Sequence, residues 1–392
     1  MKNKGMLTRG FACLLIWSSC LLPTLAAQAA STPQEASAAA AQKGLESGIQ
    51  WLLEAQEPNG AFGHWRNPEH AFWSTPSTHL AWQVATTGLS AISLMEYGGS
   101  KKERAALHAA MDYLAASAVV KRPNDWDTDN TWAFVYGLEA LTRAASHSEF
   151  RDDASKVLGF RKTGESLMRK LWAYQSPQGG WAYYADETKA VRPWWATSFQ
   201  TAVAVMAIFR AQDLGWEVDT ERLNKAIEGL KRCRLKNGAY SYSMELFPTP
   251  GGLTGIDQTK GSLSRIQVCN AALFIAAGRG YETGIGQKEL RKGLQQFWGE
   301  HRFLDLSRRK PVPHEAYHYN SGYFYFFGHY YAAEVISLLP LAERAPHFQK
   351  LQHHILKTQE KDGSCWDYPM HSFAKPYAVA YATTALVWSL AK

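Results

Sequence analysis

Gln175-Ser176-Pro177-Gln178-Gly179-Gly180-Trp181 decides the fold, because the chain says it more than once. Gln56-Glu57-Pro58-Asn59-Gly60-Ala61-Phe62, Leu235-Lys236-Asn237-Gly238-Ala239-Tyr240 and Gln359-Glu360-Lys361-Asp362-Gly363-Ser364-Cys365-Trp366 carry the same phrase. Each reads as the end of an amphipathic helix, a glycine turn and then an aromatic. A supersecondary unit recurring along a chain fixes the architecture before any single residue is weighed.

Helical periodicity flanks every phrase, in two flavours. In 219–234, Leu223, Ala226, Ile227 and Leu230 recur at helical spacing while Glu221, Arg222, Lys225, Glu228, Lys231 and Arg232 fill the other positions. That pattern is a helix with one wet face. Similar charged segments cover 41–56, 101–118, 160–174, 286–299 and 345–359. Between them lie nearly uncharged runs at 80–94, 131–141, 194–209, 266–277, 319–339 and 377–390. Helices apolar all round are buried on every side. These runs are short, contain Ser, Thr and Gln, and alternate strictly with charged segments, so they read as buried helices rather than membrane spans. Six charged helices alternating with six uncharged ones predict an all-α (α/α)6 toroid of six helical hairpins. A linear two-helix solenoid is the competing architecture. Glycine accepts the left-handed conformation that ends each outer helix, and the aromatic after it is expected to pack on the next outer helix.

The first residues read differently. Lys2, Lys4 and Arg9 precede an apolar run at 11–22 and a small-x-small site at Ala27-Gln28-Ala29. That is the pattern of an export signal peptide over 1–29. The apolar run is shorter than the ~20 residues needed to span a bilayer. Trp17-Ser18-Ser19 before Cys20 lacks the aliphatic residue expected at a lipid-attachment site. Residues 30–40 read as a flexible segment and 41–392 as one toroid domain. Without the three basic residues of the leader the net charge falls from +7 to +4. So mild a balance, with no basic cluster interleaved with aromatics, gives no reason to expect a nucleic-acid partner. Cys233, Cys269 and Cys365 are too few and odd in number for a disulfide framework.

The repeat phrases and paired helices resemble the prenyltransferase and squalene-oxidase repeats of the terpenoid cyclase and protein prenyltransferase superfamily, over essentially the whole mature chain. The same toroid also carries glycan-degrading enzymes and complement-type thioester domains. The Cys-Gly-Glu-Gln thioester sequence is absent, which removes the last.

Parallel inner helices would bring six N-termini to one mouth, where free N–H groups attract anions. Arg192, Trp194, Trp195 and Arg265 precede or open inner helices there. In Asp125-Trp126-Asp127-Thr128-Asp129-Asn130, three carboxylates at alternate positions repel one another, which can raise one pKa toward that of a proton donor. The segment resembles the Asp-x-Asp-Asp-Thr acid motif of cyclases. Asp127 and Asp129 match its first two acids and Asn130 replaces the third; helix N-capping is the plainer role. The aromatic run 317–331 supplies Tyr317, His318, Tyr319 and Tyr323. Its ring faces suit carbocations or sugar rings, and His318 beside Tyr317 offers an acid/base pair.

Cys365, Asp367 and His371 are the ligand types of the prenyltransferase zinc site but in a different order, so the sequence reading assigns no metal there and no cofactor elsewhere. Glu139 and Glu334, deep in opposing inner helices, read as ion-paired. The expected ligand is a small molecule, lipid or glycan. The reading favours an apolar or isoprenoid-type ligand in an aromatic central cavity, with a carbohydrate-active toroid or a non-catalytic envelope binding module as alternatives.

Overall fold

The computed structural model describes residues 33–64, 76–121, 130–183, 195–244, 255–368 and 373–391. The chain runs as outer and inner helices in turn: α1 (Pro33–Ala55) and α2 (Pro76–Tyr97), α3 (Lys101–Ser117) and α4 (Asn130–Ser146), α5 (Ala154–Ala173) and α6 (Ser198–Asp213). Then follow α7 (Thr220–Arg232) and α8 (Leu263–Gly278), and α9 (Gln287–Gly299) with a short α10 (Arg302–Ser307) before α11 (Phe324–Ser337). The last pair is α12 (Leu341–Thr358) and α13 (Ala374–Leu390). Among the described residues there is no β-strand, only isolated bridges.

The inner helices close into a ring. Each of α2, α4, α6, α8, α11 and α13 packs on the next, and α13 returns to α2, while α1 lies against α12 and α13. The Ser93 and Thr383 hydroxyls meet at 2.6 Å across the closing seam. The architecture is the expected (α/α)6 toroid, not an open solenoid. Burial follows the two sequence flavours: α7 buries Leu223, Ala226, Ile227 and Leu230 on one face, whereas α6 is buried from Ser198 to Phe209 on all sides. No described helix is long and apolar enough to cross a membrane.

The repeated phrase acts as the stitch between units. In all four copies the glycine N–H donates to the carbonyl three residues back: Gly60 to Glu57 at 2.8 Å, Gly179 to Ser176 at 2.9 Å, Gly238 to Leu235 at 2.9 Å and Gly363 to Glu360 at 3.0 Å. The glutamine amide of three copies donates twice. Gln56 reaches Gly60 O at 3.0 Å and Ala106 O of α3 at 2.8 Å. Gln175 reaches Gly179 O at 2.5 Å and Arg222 O of α7 at 2.8 Å. Gln359 reaches Gly363 O at 3.0 Å and Gly44 O of α1 at 2.8 Å. In the fourth copy Arg234 stands in place of the glutamine, and Gln296 of α9 donates back to Asn237 O at 3.1 Å.

Two expectations are corrected. The aromatic was expected to join successive outer helices, but Trp181 turns back on its own unit: its indole N–H donates to Leu171 O at 2.7 Å and its ring lies 5.7 Å from Trp172. The turn presses so closely on the next helix that the glycine and glutamine make that contact instead. Residues 30–40 were expected to be flexible, yet α1 begins at Pro33. Proline suits the first helical turn, alanines favour the helix after it, and the Ser37 hydroxyl donates to Gln352 of α12 at 3.0 Å.

The left-handed glycines differ in what surrounds them. At Gly179 φ is +102° and an added Cβ would lie 2.2 Å from Lys225 O; at Gly238 φ is +91° but the nearest atom is Lys292 Nζ at 3.5 Å. Gly238→Ala should therefore cost about 1–2 kcal/mol, the strain of a left-handed alanine alone. Gly179→Ala should cost clearly more, because the backbone of α7 must move as well. Urea unfolding of the two variants checks the order, and equal losses would contradict it.

Candidate functional site

Rings from several units meet at the N-terminal end of the inner helices. Phe199 of α6 is the hub: its centroid lies 5.2 Å from Tyr242, 5.2 Å from Phe324, 6.0 Å from Trp132 and 6.2 Å from Phe327. Tyr183 joins Trp132 to Trp195, meeting the latter edge-on at 5.2 Å, and its hydroxyl contacts that of Tyr242. Below this layer Tyr136 of α4 and Tyr381 of α13 are hydroxyl-bonded to each other. Trp132 stacks on Tyr136 and Tyr183 and the other rings pack edge to face or tilted, which favours cohesion, while Trp132, Tyr183, Trp195, Tyr242 and Tyr323 stay only partly buried.

Arg265, on the first turn of α8, is held inside this wall and is 1% exposed. Its Nε donates to Tyr240 O at 3.3 Å, one terminal nitrogen donates to Ile256 O, and its carbon lies 5.3 Å from the Tyr242 centroid and 5.6 Å from that of Phe324. The other terminal nitrogen, Nη1, is buried with no hydrogen-bond partner among the described residues. Burial pulls the guanidinium pKa down and the Asp257 carboxylate opposes it. A buried cationic donor without an acceptor is unfavourable unless an anion or polar ligand meets it.

His314 faces the same place. Its Nδ1 is 2.8 Å from Tyr319 O, an acceptor only, so the neutral ring carries its proton there and offers a lone pair on Nε2. That Nε2 lies 3.2 Å from the Tyr323 hydroxyl, and the ring stands edge-on to Tyr242 at 5.4 Å. Burial lowers its pKa, the Tyr319 carbonyl raises it and Arg265 lowers it further. Among the described residues, His314, His318 and Tyr319 are the non-glycine residues at positive φ, at 63°, 59° and 53°. Holding three such residues in one loop costs conformational energy that the surrounding packing must offset.

The sequence-selected residues divide into three groups. Trp195, Arg265 and Tyr323 are brought together in this wall. Asp127, Asp129, Arg192 and Trp194 lie outside the described residues, as does His371. Tyr317 and Tyr319 are 71% and 58% exposed, and the His318 ring packs edge-on against Phe303 at 4.9 Å with burial lowering its pKa. The structure does not bring these three to the aromatic wall. The cause is helix register: the inner helix expected from 319 starts at Phe324, and 317–319 form a separate 3-10 turn. Phe324 N–H and Tyr325 N–H bond back to Ser321 and Gly322, and Asp367 Oδ2 accepts Phe326 N–H at 3.2 Å. Gly322 lies under the segment that leads into α13, where a Cβ would be 2.3 Å from Asp367 O. His314 takes the place foreseen for His318. Its sequence signal was weak, a lone histidine after Pro311-Val312-Pro313.

Cys365 and Asp367 are both fully buried. Asp367 is engaged as the acceptor of the α11 N-terminus and of the Tyr377 hydroxyl at 2.5 Å. Burial raises its pKa from 3.8 to about 7, against the lowering effect of Tyr377 and then Phe326 N–H. At the opposite end of the ring, Glu139 and Glu334 are ion-paired as expected. Arg143 bonds Glu139 at 3.0 Å and Glu96 at 2.8 Å, and Arg210 lies 3.7 Å from Glu139 and 3.2 Å from Glu334. Arginines at helix C-termini are favourably placed against the helix dipoles. That end is therefore an ion-paired floor, although Arg210 Nε and Glu334 Oε2 make no hydrogen bond among the described residues.

Comparison with solved structures returns other toroids. The type II terpene cyclase MstE from Scytonema, in complex with merosterolic acid A, superposes with a TM-score of 0.52 at 14% identity, over 91% of this chain and 99% of its own. The α-1,6-mannanase GH76A of Salegentibacter sp. HEL1_6, in complex with α-1,6-mannotetrose, gives 0.57 at 9% identity over 90% and 98%. A protein from Actinoplanes gives 0.51 at 12% over 90% and 100%. Comparisons with protein-family models and with curated proteins return no match. The chain thus has a terpenoid-cyclase-like α/α toroid fold, and fold alone does not carry activity.

The raised Asp367 sets a pH dependence. A carboxyl whose folded pKa lies above its unfolded value stabilises the fold fully below about pH 4 and loses that contribution as pH rises through about 7. The difference in unfolding free energy between the wild type and Asp367→Asn should therefore shift against the wild type between those limits. A pH-independent difference would show that Asp367 is already ionised throughout.

Proposed function

We propose that this toroid is an exported protein that binds an isoprenoid-type ligand, an apolar chain with an anionic head, in its aromatic mouth. The observation that carries the reading is Arg265 Nη1, a buried cationic donor left without a partner among π faces. A carboxylate or phosphate head there would complete its hydrogen bonding, and Phe199, Trp132 and Phe327 would take the chain. MstE supports the reading at the level of fold, since that enzyme binds geranylgeranyl dihydroxybenzoate as substrate. The basic, apolar and small-residue order of 1–29 supports export.

For cyclase-like catalysis, Asp129 is the proposed proton donor and Asp127 its neighbour; Asn130, directly after them, opens α4 with its side chain buried. His314, with Tyr323 on its Nε2, would take up a proton at the opposite side of the mouth. One observation favours a carbohydrate instead: the His314–Tyr323 pair beside Arg265 also suits a sugar carboxylate. The two readings separate by binding.

Geranylgeranyl dihydroxybenzoate should quench tryptophan fluorescence saturably. Arg265→Met should weaken it by ~10-fold or more, the size of a charge-assisted hydrogen bond, while neutral geranylgeraniol binds both proteins alike. Tyr242→Leu serves as a second variant if Arg265→Met does not fold. Binding of α-1,6-mannotetrose or an oligouronate with no response to either prenyl compound would overturn the isoprenoid reading.

A further inference from the structure

On the flank of the ring, where α10 and α12 pack beside α11, a second polar cluster stands apart from the mouth. We propose that His301, Asp305 and His354 bind a divalent transition metal, zinc first among them. One imidazole nitrogen of each histidine and one carboxylate oxygen of Asp305 lie within 4.8 Å of one another.

Proton positions decide what joins them. His329 Nδ1 is 2.7 Å from Tyr325 O, so that nitrogen carries the proton and Nε2 of the neutral ring is an acceptor. His329 Nε2 is 2.9 Å from His301 Nε2, which must therefore donate. A neutral His301 is left with its lone pair on Nδ1, and Nδ1 faces Asp305 Oδ2 at 3.3 Å. Two acceptors meet with no proton between them. Close by, with its ring stacked on His301 at a centroid distance of 3.5 Å, His354 has a buried Nδ1 with no hydrogen-bond partner among the described residues. A second proton on His301 would satisfy Asp305 but give His354 nothing. A metal ion is the one addition that uses all three residues.

The surroundings are those of a ligand set with its orientation fixed. His301 is 3% exposed, and its Nε2–H is anchored on His329, which is anchored on the Tyr325 carbonyl. The Tyr325 hydroxyl lies 3.4 Å from Asp305 Oδ1, leaving Oδ2 for the ion. Such outer partners set the tautomer and direction of metal-binding histidines. Two imidazoles and one carboxylate suit zinc, cobalt or nickel over magnesium or calcium. Asp305, 33% exposed at its side chain, gives access from solvent. An ion in the plane of both rings requires His354 to turn off the stack, and its partial exposure on α12 leaves room for that turn. His301 and Asp305 stand four apart on one helical face, a spacing readable in the sequence; His354, some fifty residues on, is joined to them only by the packing of α12.

The test uses full-length protein freed of any His tag and treated with a chelator, titrated with zinc alone. One zinc per chain is expected, with a rise in Tm, and cobalt should give a visible d–d absorption band. His354→Gln and Asp305→Asn should each weaken zinc binding by ~100-fold or more, and His329→Gln by ~10–100-fold. His353→Gln, at the exposed neighbour, and Cys365→Ala should leave it unchanged. Asp305→Asn, at a partly exposed position, carries the test if the buried variants fail to fold. Folded protein that takes up no stoichiometric zinc, cobalt or nickel overturns the proposal, as does uptake unaffected by both ligand variants. Neither result bears on the ligand of the mouth.

Discussion

Close approach of one backbone to another, at a glycine, is the constraint on which this molecule depends. Gly60, Gly179 and Gly363 leave so little space that an added Cβ would lie 2.3, 2.2 and 2.3 Å from a carbonyl oxygen of the neighbouring outer helix. At that range the glutamine amide four residues earlier can bridge two chains, donating to its own turn and to the next unit. The turn ends the outer helix, sets the angle between hairpins and delivers the following segment to the top of the inner ring. Six inner helices are parallel because each outer helix ends at the same level.

Parallel helices make the two ends of the ring electrostatically unlike. The lower end gathers the C-termini, and there Arg143 and Arg210 are shared among Glu96, Glu139 and Glu334. Burial raises the Glu334 pKa against the pull of Arg210. The upper end gathers N-termini and aromatic rings, and its buried cation, Arg265, keeps one donor without an acceptor.

The fold was legible because its signals are local and repeated: a glycine turn, a glutamine, and helices whose charge alternates. The site was legible only in part. Arg265, Trp195 and Tyr323 were found from their positions beside inner helices. His318 was selected and His314 was missed because sequence gives no sign that α11 waits until Phe324. That start is set by Asp367, more than forty residues away, accepting Phe326 N–H, and by Gly322 fitting beneath it. The His301–Asp305–His354 cluster was missed for a similar reason, since it needs α12 to lie beside a six-residue helix that periodicity does not reveal.

The seam between the first and last units has a consequence for how the chain reaches this state. Gln359 bonds Gly44 O across 315 positions of sequence, and Ser93 meets Thr383 across 290. Every other hairpin finds its preceding neighbour as soon as both exist, but the first must stay unpartnered on one side until the last is made. Closing so long a loop costs chain entropy and slows folding. The toroid is therefore an arc for most of its assembly, with the apolar flanks of α1 and α2 exposed until α12 and α13 dock, and those flanks are where a chaperone or an aggregating partner has its chance.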